Sequence, residues 1–311
     1  MEKLNIIFMG TPKFSVPVLK MLIENYNVIG VFTQIDKPSG RKNEIIFSPI
    51  KQLALDNNIK VFQPLKLKEE TELVFDLKPD IIITCAYGQI LPEEVINYPK
   101  YGCINVHASL LPKLRGGDPI HKAIIYGYKQ TGITIMYMDK NMDTGDIINT
   151  QEIDIEEIDT YDTLHDKLSL AAPILLQNTL EEIISNKHIR IKQNDNEATY
   201  AYIVKKEEEK IDFNKSTKDV YNQIRGLSSV PGAYTTLDNK IIKVYSAKKD
   251  HNDSNKKPGT IININKDSIG VKTLDGEILL TEIQMEGKKR TLVKDYLNGI
   301  DSKKLLGREL K

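Results

Sequence analysis

The 311-residue sequence predicts an α/β protein with a doubly wound, mostly parallel β-sheet, followed by a small C-terminal β-barrel. Two observations lead to this prediction. Apolar strand-like runs alternate with segments of helical periodicity through roughly the first 185 residues, and several short alternating strands separated by turn residues follow later. A polar stretch rich in charged and amide side chains separates the two patterns. We therefore expect a first domain over 1–188, a linker over 189–209 and a second domain over 210–311.

The first domain takes its elements from its apolar runs. The predicted strands cover 4–9, 28–33, 60–62, 81–85, 103–106 and 133–138, and the predicted helices 16–24, 49–56, 119–126 and 163–184. Right-handed crossovers between parallel strands bring the carboxyl ends of those strands to one edge of the sheet. Ligand sites in open α/β sheets lie at that edge.

The second domain follows from turn signals between short strands. The predicted strands cover 233–237, 240–246, 260–264, 268–272 and 277–283, after a helix over 217–225. Such a pattern is typical of small barrels that bind oligonucleotides. Residues 201–311 carry 22 Lys and Arg against 16 Asp and Glu, although the whole chain is neutral. This excess hints at a polyanionic partner, although charge runs are usually only solvated surfaces.

Several classes of protein are excluded by composition and motif. The two cysteines, Cys85 and Cys103, lie in apolar runs without metal-ligand spacing, so neither a disulfide framework nor a zinc site is expected. No run is apolar and long enough to span a membrane, and we expect a cytoplasmic protein. Gly10-Thr11-Pro12 follows the first strand without a nucleotide-binding glycine motif, so no motif supports a nicotinamide or ATP site. His121, His165, His188 and His251 lie in contexts without evident partners and are expected to be structural.

Asn105-Val106-His107 is the part of the chain most informative about chemistry. In a strand these two polar side chains project from the same face. An amide can hold a carbonyl oxygen, an imidazole can move a proton, and a carboxylate such as Asp143 of Asp143-Thr144-Gly145-Asp146 can orient the imidazole. Acyl-group transfer is the chemistry that these groups suggest. A buried Asn-x-His pair that only satisfies loop backbone groups would have the same pattern.

Motifs from both halves of the chain resemble the methionyl-tRNA formyltransferases. In the first half the similar segments are 8–12, 105–112, 115–120, 131–136 and 142–146, and in the second half 211–213, 224–225, 231–236 and 259–260. The Asn-x-His and Asp-x-Gly pieces alone would mark only the wider group of tetrahydrofolate-dependent formyltransferases and hydrolases. The C-terminal segments separate the tRNA enzymes from most of these relatives.

The resemblance implies a Rossmann-like formyltransferase domain joined to an OB-like barrel. It further implies transfer of the formyl group of 10-formyltetrahydrofolate to the α-amino group of methionine on initiator tRNA. Asn105 would donate to the formyl oxygen, His107 would assist or pass a proton onward, and Asp143 would orient the imidazole and help to remove the proton of the amine. No metal is required.

The resemblance also implies which residues contact the two substrates. Folate would contact the turn of Ser109, Leu110, Leu111 and Pro112, and the loop of Tyr87, Gln89, Ile90 and Leu91. The polar segment 34–44 interrupts the strand–helix pattern, and in the family the matching loop enters the acceptor-stem major groove. Arg41, and with it Lys42, would therefore contact tRNA. By itself this segment is a surface loop like many others.

Two alternatives remain open from the sequence. A 10-formyltetrahydrofolate-dependent formyltransferase acting on a nucleotide or nucleotide-sugar amine would share Asn105, His107 and Asp143. A non-catalytic RNA-binding protein would explain the basic barrel but would leave these three residues without a role. The expected partners are initiator methionyl-tRNA and folate, with no membrane, and nothing in the sequence indicates oligomerisation.

Overall fold

A computed structural model describes residues 4–39, 44–252 and 254–311, which form two compact units. The first unit contains residues up to 119, 131–154 and 165–202, and the second contains 120–130, 155–164 and 203–311. Residues 189–202 of the predicted linker group with the first unit and 203–209 with the second.

The first unit contains a seven-stranded sheet and a separate hairpin. In chain order the strands are β1 (Asn5–Gly10), β2 (Asn27–Phe32), β3 (Lys37–Ser39), β4 (Glu44–Ile46), β5 (Val61–Phe62), β6 (Ile81–Cys85), β7 (Cys103–His107), β8 (Gln130–Tyr137) and β9 (Ile147–Asp154). The sheet order is β5-β2-β1-β6-β7-β8-β9, while β3 and β4 form a separate two-stranded sheet. Within this order, the neighbouring strands β5, β2, β1, β6 and β7 run parallel to one another, and β8 runs antiparallel to β7.

The helices between residues 4 and 202 group with the first unit, except that residues 120–125 and 161–164 group with the second. They are α1 (Val16–Asn25), α2 (Pro49–Asp56), α3 (Glu72–Phe75), α4 (Glu93–Ile96), α5 (Pro119–Ile125) and α6 (Tyr161–Ile184). Ser48 caps α2 by accepting a hydrogen bond from the Lys51 amide at 3.1 Å, and Pro49 supplies the fixed φ that suits the first helical position. Residues 6–9 of β1 are fully buried, as expected for a strand covered on both faces.

The predicted doubly wound, mostly parallel sheet is confirmed. The hairpin β3–β4 and the edge strand β9 were not predicted. Each hairpin strand spans three residues in a polar segment, and β9 alternates irregularly between buried and exposed positions. Neither element shows the sustained apolar run from which the other strands were inferred.

The second unit is built around an antiparallel sheet. Its elements are α7 (Thr217–Gly226), β10 (Ala233–Leu237), β11 (Lys240–Asp250), β12 (Ile261–Ile264), β13 (Ile269–Lys272), β14 (Glu277–Met285), β15 (Thr291–Leu292) and α8 (Val293–Asn298). The strand order is β10-β11-β14-β13-β12, and β15 pairs with β14. Asp238 and Asn239, both at positive φ, form the two-residue turn between β10 and β11, which is a common hairpin connection.

The last residues of the chain close this sheet into the predicted barrel. Thr236 of β10 exchanges two backbone hydrogen bonds with Lys311, at 2.8 and 3.0 Å. On the other side, Ile261 of β12 donates to the Arg308 carbonyl and accepts from the Gly307 amide, both at 2.8 Å. The C-terminal segment therefore lies between β10 and β12 and pairs with both. Closure removes the exposed sheet edges that an open sheet would carry.

Candidate active site

The ends of β6 and β7 place the polar side chains of the site. Asn105 and His107 alternate with the buried Val106 on β7, and Thr84 of the neighbouring parallel strand is in register with Asn105. His107 is only 6% exposed and Asn105 is half-buried. These residues lie at the carboxyl edge of the sheet, close to the point where the strand order reverses on either side of β1.

The orientation of the Asn105 amide is set by Thr84. The Thr84 hydroxyl donates to Asn105 Oδ1 at 2.9 Å. Because the amide oxygen is held there, Asn105 Nδ2 points the other way and lies 3.5 Å from Asp143 Oδ1. Nδ2 is therefore a directed donor with one long, weak contact, and it is well suited to donate to a new acceptor. Thr84 was not identified from the sequence, although its position at the end of an apolar strand was a usable signal.

His107 is held by the backbone on one side and faces a carboxylate on the other. Its Nε2 lies 3.1 Å from the Leu114 carbonyl, and since a carbonyl only accepts, Nε2 carries the proton. Nδ1 lies 3.7 Å from Asp143 Oδ1. The nitrogen that can exchange a proton during a reaction is therefore Nδ1, on the side of Asp143.

Asp143 sits on a turn that is rigid for steric reasons. Its φ is +56°, and its Oδ2 accepts a 2.8 Å hydrogen bond from the Gly116 amide. A Cβ on Gly145 would lie 1.9 Å from the Tyr137 carbonyl oxygen, so only glycine fits there. The structure thus brings Asp143 to the predicted Asn105 and His107, from a separate part of the chain.

A buried clamp behind this turn was missed at the sequence level. Arg115, 2% exposed, donates through Nε and Nη2 to Gln193 Oε1 at 3.0 and 2.8 Å. Gln193 Nε2 in turn donates to the carbonyls of Asp143 and Gly145, at 2.9 and 2.8 Å. The clamp fixes the backbone on both sides of Thr144. Its members are far apart in sequence, and Gln193 lies in a stretch expected to be a linker.

The turn expected to contact folate is held by hydrogen bonds to neighbouring protein groups. Ser109 is fully buried and its hydroxyl donates to the Lys113 carbonyl at 2.6 Å. The Thr134 hydroxyl donates to the Ser109 carbonyl at 2.6 Å and accepts from the Leu111 amide at 3.1 Å. Leu111 is also buried, whereas Leu110 and Pro112 are half-buried. This turn is therefore a preformed wall next to His107.

The second predicted folate loop is also largely fixed by internal contacts. The Tyr87 and Leu91 side chains are buried, and the Tyr87 carbonyl accepts from Gln34 Nε2 at 3.0 Å. Gln89 accepts from the Leu67 amide at 2.8 Å and donates to the Pro64 carbonyl at 3.0 Å. Ile90 is 88% exposed and contributes an uncovered apolar side chain to this loop. Burial raises the pKa of the Tyr87 hydroxyl, which therefore stays protonated.

The two predicted tRNA-contacting residues, Arg41 and Lys42, lie outside the described residues. The described parts of their segment form the hairpin of β3 and β4. Ile45 and Ile46 of β4 and the following Phe47 are exposed by 65%, 60% and 42%.

The expectation that the other histidines lack partners is wrong for three of them. His121 Nδ1 lies 2.8 Å from the Gly226 carbonyl, and its ring stacks on Tyr161 with centroids 3.8 Å apart. His188 Nε2 lies 3.1 Å from the Tyr137 hydroxyl. His165 Nδ1 lies 3.0 Å from Asp166 Oδ1. These contacts are local to each histidine and involve none of the three residues of the candidate site.

Among residues 4–39, 44–252 and 254–311, no group of three His, Cys, Asp or Glu side chains is arranged to hold a metal ion. In the same part of the chain, no helix has the length and apolar character needed to cross a membrane. Cys85 and Cys103 are free and buried, and burial raises the pKa of the Cys85 thiol to about 12.

Comparison with known proteins gives matches over both units. The model of the formyl transferase family matches residues 3–180, and that of the formyl transferase C-terminal domain matches residues 203–301. The chain is 50% identical to a methionyl-tRNA formyltransferase of Bacillus subtilis over 298 residues, covering 94% of each chain. It is also 50% identical to a protein of that name from Geobacillus sp. over 311 residues, covering 99% of this chain and 98% of the relative.

Solved structures give the same fold at lower identity. An N-formyltransferase from Helicobacter canadensis, in complex with folinic acid and dTDP-3-aminofucose, superposes with a TM-score of 0.68 at 21% identity. The match covers 92% of this chain and 100% of that structure. At this identity the likeness concerns the fold alone.

Proposed function

This chain belongs to the formyl transferase family, and we propose that it is a methionyl-tRNA formyltransferase. It would transfer the formyl group of 10-formyltetrahydrofolate to the α-amino group of methionine on initiator tRNA, a step of translation initiation. One observation carries the chemical part of this proposal: Asn105 Nδ2 and His107 Nδ1 both face Asp143 Oδ1, at 3.5 and 3.7 Å. The relatives at 50% identity support the choice of acceptor.

The reaction needs an oxyanion donor and a proton carrier. The amine nitrogen attacks the formyl carbon, and negative charge builds on the formyl oxygen as the tetrahedral intermediate forms. Asn105 Nδ2 is the donor for that oxygen, since Thr84 already fixes the amide in the required orientation. Preorganisation of this kind lowers the barrier because no donor has to reorient during the reaction.

Nδ1 of His107 carries the proton during the reaction, and Asp143 assists it. The attacking amine loses a proton as the new C–N bond forms, and N10 of the folate gains one as the old C–N bond breaks. Because Nε2 of His107 is engaged with the Leu114 carbonyl, Nδ1 accepts the proton and Asp143 stabilises the resulting imidazolium. Return of the same proton to N10 leaves the enzyme unchanged. The mechanism requires neither a metal ion nor a covalent intermediate.

The folate donor would bind along the two preformed loops next to the site. Ser109, Leu110, Leu111 and Pro112 form one wall, and Tyr87, Gln89, Ile90 and Leu91 form the other. Since the side chains of Ser109 and Gln89 are used internally, the pterin edge would be recognised by backbone groups and apolar contacts. Exposed Ile90 would be covered on binding.

The tRNA would be held by the C-terminal domain and by the segment that contains Arg41 and Lys42. The net positive charge of residues 201–311 suits a phosphate backbone. Arg41 would contact base edges or phosphates through its planar guanidinium group. We also propose that the catalytic domain extends over 1–188 and the tRNA-binding domain over 210–311, with 189–209 as a connection.

The alternatives predict different substrates and salt responses. A formyltransferase for nucleotide-sugar amines would use the same three catalytic residues, but neither the 50% identical relatives nor the C-terminal family match favours it. A non-catalytic RNA-binding protein would not explain the catalytic cluster. Binding of tRNA should weaken steeply with ionic strength, whereas a small amine substrate would be nearly indifferent to it.

The experiment is incubation of the purified protein with 10-formyltetrahydrofolate and methionyl initiator tRNA, followed by detection of formylmethionine. A dTDP-linked amino sugar serves as the competing acceptor in a parallel reaction. We expect product only with the tRNA, at a rate that falls with added salt. Formylation of the amino sugar, or folded protein that formylates neither acceptor, would overturn the proposal.

A further inference from the structure

Two exposed tyrosine rings lie parallel to each other in the unit that contains the candidate active site. The Tyr200 and Tyr202 rings have centroids 5.6 Å apart and planes inclined by 4°. The two residues are 44% and 60% exposed, so their outer faces are open to solvent. Aromatic side chains usually bury their faces, and an ordered exposed pair is a surface suited to stacking with another ring.

The pair is attached to the segment that holds the catalytic carboxylate. Ala201, between the two tyrosines, donates to the Arg115 carbonyl at 2.7 Å and accepts from the Asp118 amide at 3.0 Å. Gly116, between those two partners, donates to Asp143 Oδ2 at 2.8 Å. A Cβ on Gly116 would lie 2.7 Å from the Ala201 carbonyl oxygen, so the two backbones are in close contact.

Strand geometry explains why the two rings face outward together. Side chains alternate along an extended chain, so the fully buried Ala201 points inward and its neighbours on both sides point to solvent. The parallel pairing of Tyr200 with Arg115 fixes this alternation. The two rings are therefore held by backbone contacts with residues 115–118, the segment whose Gly116 amide donates to Asp143.

We propose that Tyr200 and Tyr202 stack against the adenine of the 3′-terminal nucleotide of the tRNA. The proposal rests on the proposed function and adds a binding site for one part of its substrate. The reacting amine and the terminal adenine are joined through only one ester and one ribose, so a base must lie close to the site whenever the amine faces Asp143. Bases of single-stranded ends are commonly held by stacking on aromatic side chains.

The folate donor fits this surface less well. Its pterin would lie against the turn of Ser109 and Leu111 and the loop around Tyr87, whose side chains are buried. Tyr200 and Tyr202, by contrast, are exposed and so can receive a group that approaches from solvent at the end of a large molecule. Apolar burial suits a small co-substrate, whereas an open platform suits the end of a nucleic acid strand.

The first test compares kinetic constants of Tyr200→Ala and Tyr202→Ala with those of the wild-type protein. Loss of one stacking contact should raise KM for methionyl-tRNA about tenfold, with kcat nearly unchanged, because the base is bound equally in the ground and transition states. KM for 10-formyltetrahydrofolate should stay constant. Tyr202→Phe should behave like the wild-type protein, since the ring is retained.

Tyr98→Ala is the matched control. Tyr98 belongs to the same unit, is 43% exposed and packs on Phe75 with ring centroids 4.8 Å apart. Its loss removes an exposed aromatic side chain of the same kind, and KM for tRNA should not change. Thermal unfolding of every variant separates lost binding from a disturbed fold.

A second readout detects the stacking itself. Deacylated initiator tRNA with 2-aminopurine as its terminal base should lose fluorescence on binding to the wild-type protein, because stacking quenches this probe. The chain contains no Trp, so excitation beyond the tyrosine absorption excites only the probe. The quenching should be lost with the Tyr200→Ala/Tyr202→Ala double variant and retained with Tyr98→Ala.

The outcomes separate this proposal from the proposed function. If the wild-type protein makes no formylmethionyl-tRNA, the proposed function fails. If it does, and the double variant keeps both its KM for tRNA and the fluorescence quenching, only the stacking proposal fails. A rise in KM for 10-formyltetrahydrofolate instead of tRNA would also overturn it, because Tyr200 and Tyr202 would then belong to the folate site.

Discussion

Replacement of Gln193 by Glu should weaken the support of the Asp143 turn and leave the rest of the fold in place. Gln193 is 6% exposed and makes four hydrogen bonds of 2.8 to 3.0 Å, two from Arg115 and two to the carbonyls of Asp143 and Gly145. The carboxylate of Gln193→Glu keeps the oxygen that accepts both hydrogen bonds from Arg115. It loses both donors, and a negatively charged oxygen then faces two carbonyl oxygens.

The expected cost follows from these contacts. The two lost hydrogen bonds contribute about 1 kcal/mol each, and the new ion pair with Arg115 offsets part of the repulsion between the carboxylate and the carbonyls. We therefore expect the free energy of unfolding to fall by about 2 kcal/mol. For a unit of this size that lowers Tm by about 4–8 °C. Release of the turn moves the Asp143 carboxylate from Nδ1 of His107, and kcat should fall by about ten- to a hundredfold, because misplacement by an ångström is costly.

Gln223→Glu is the matched control for this variant. Gln223 lies in the other unit, is 7% exposed, and its Nε2 also donates to two backbone carbonyls, those of Glu208 and Lys210, both at 2.8 Å. The same isosteric change should lower Tm without lowering kcat at saturating tRNA. Formylation kinetics and thermal unfolding of both variants provide the comparison. If Gln193→Glu retained wild-type kcat, the clamp would not position Asp143.

Three further predictions concern other parts of the chain. Gly145→Ala should destabilise the protein by about 3 kcal/mol, since its Cβ would lie 1.9 Å from the Tyr137 carbonyl oxygen, whereas Gly299→Ala, 3.6 Å from its nearest neighbour, should change Tm little. Burial raises the pKa of Glu277, so the stability of the protein should fall as the pH rises through that pKa. Glu277→Gln should therefore raise Tm near neutral pH. An unchanged Tm at neutral pH would contradict the burial argument. Arg41→Ala, assayed with initiator and elongator methionyl-tRNA, should lose discrimination between them; unchanged discrimination would remove Arg41 from the tRNA site.

Sequence periodicity predicted the elements whose patterns are local. The apolar runs gave β6 and β10 with the observed bounds, and strand alternation placed Asn105 and His107 on one face. The edge strand β9 was missed because its buried and exposed positions do not alternate regularly, and the hairpin was missed because β3 and β4 span only three residues each. Their pairing depends on neighbouring strands rather than on their own sequence.

The supporting residues of the site could not be predicted in the same way. Gln193 and Arg115 are 78 positions apart, and Thr84 contacts Asn105 across 21 positions. Such contacts depend on tertiary packing, and a glutamine in a polar stretch is typical of a solvated loop. The motifs of the sequence gave Asp143 as the partner of His107, but only the structure indicates that Nδ1 faces it.

The single-turnover rate of formyl transfer by Asn105→Ala tests the central claim most directly. With both substrates saturating, loss of the oxyanion donor should cost about 2.7–4 kcal/mol, a fall of roughly a hundredfold or more, with Tm nearly unchanged. Asn149→Ala is the control, since Asn149 Nδ2 bonds Thr179 and Glu182 at 3.2 and 2.9 Å, and neither belongs to the site. A rate for Asn105→Ala close to that of the wild-type protein would contradict the assignment of Asn105 as the donor to the formyl oxygen.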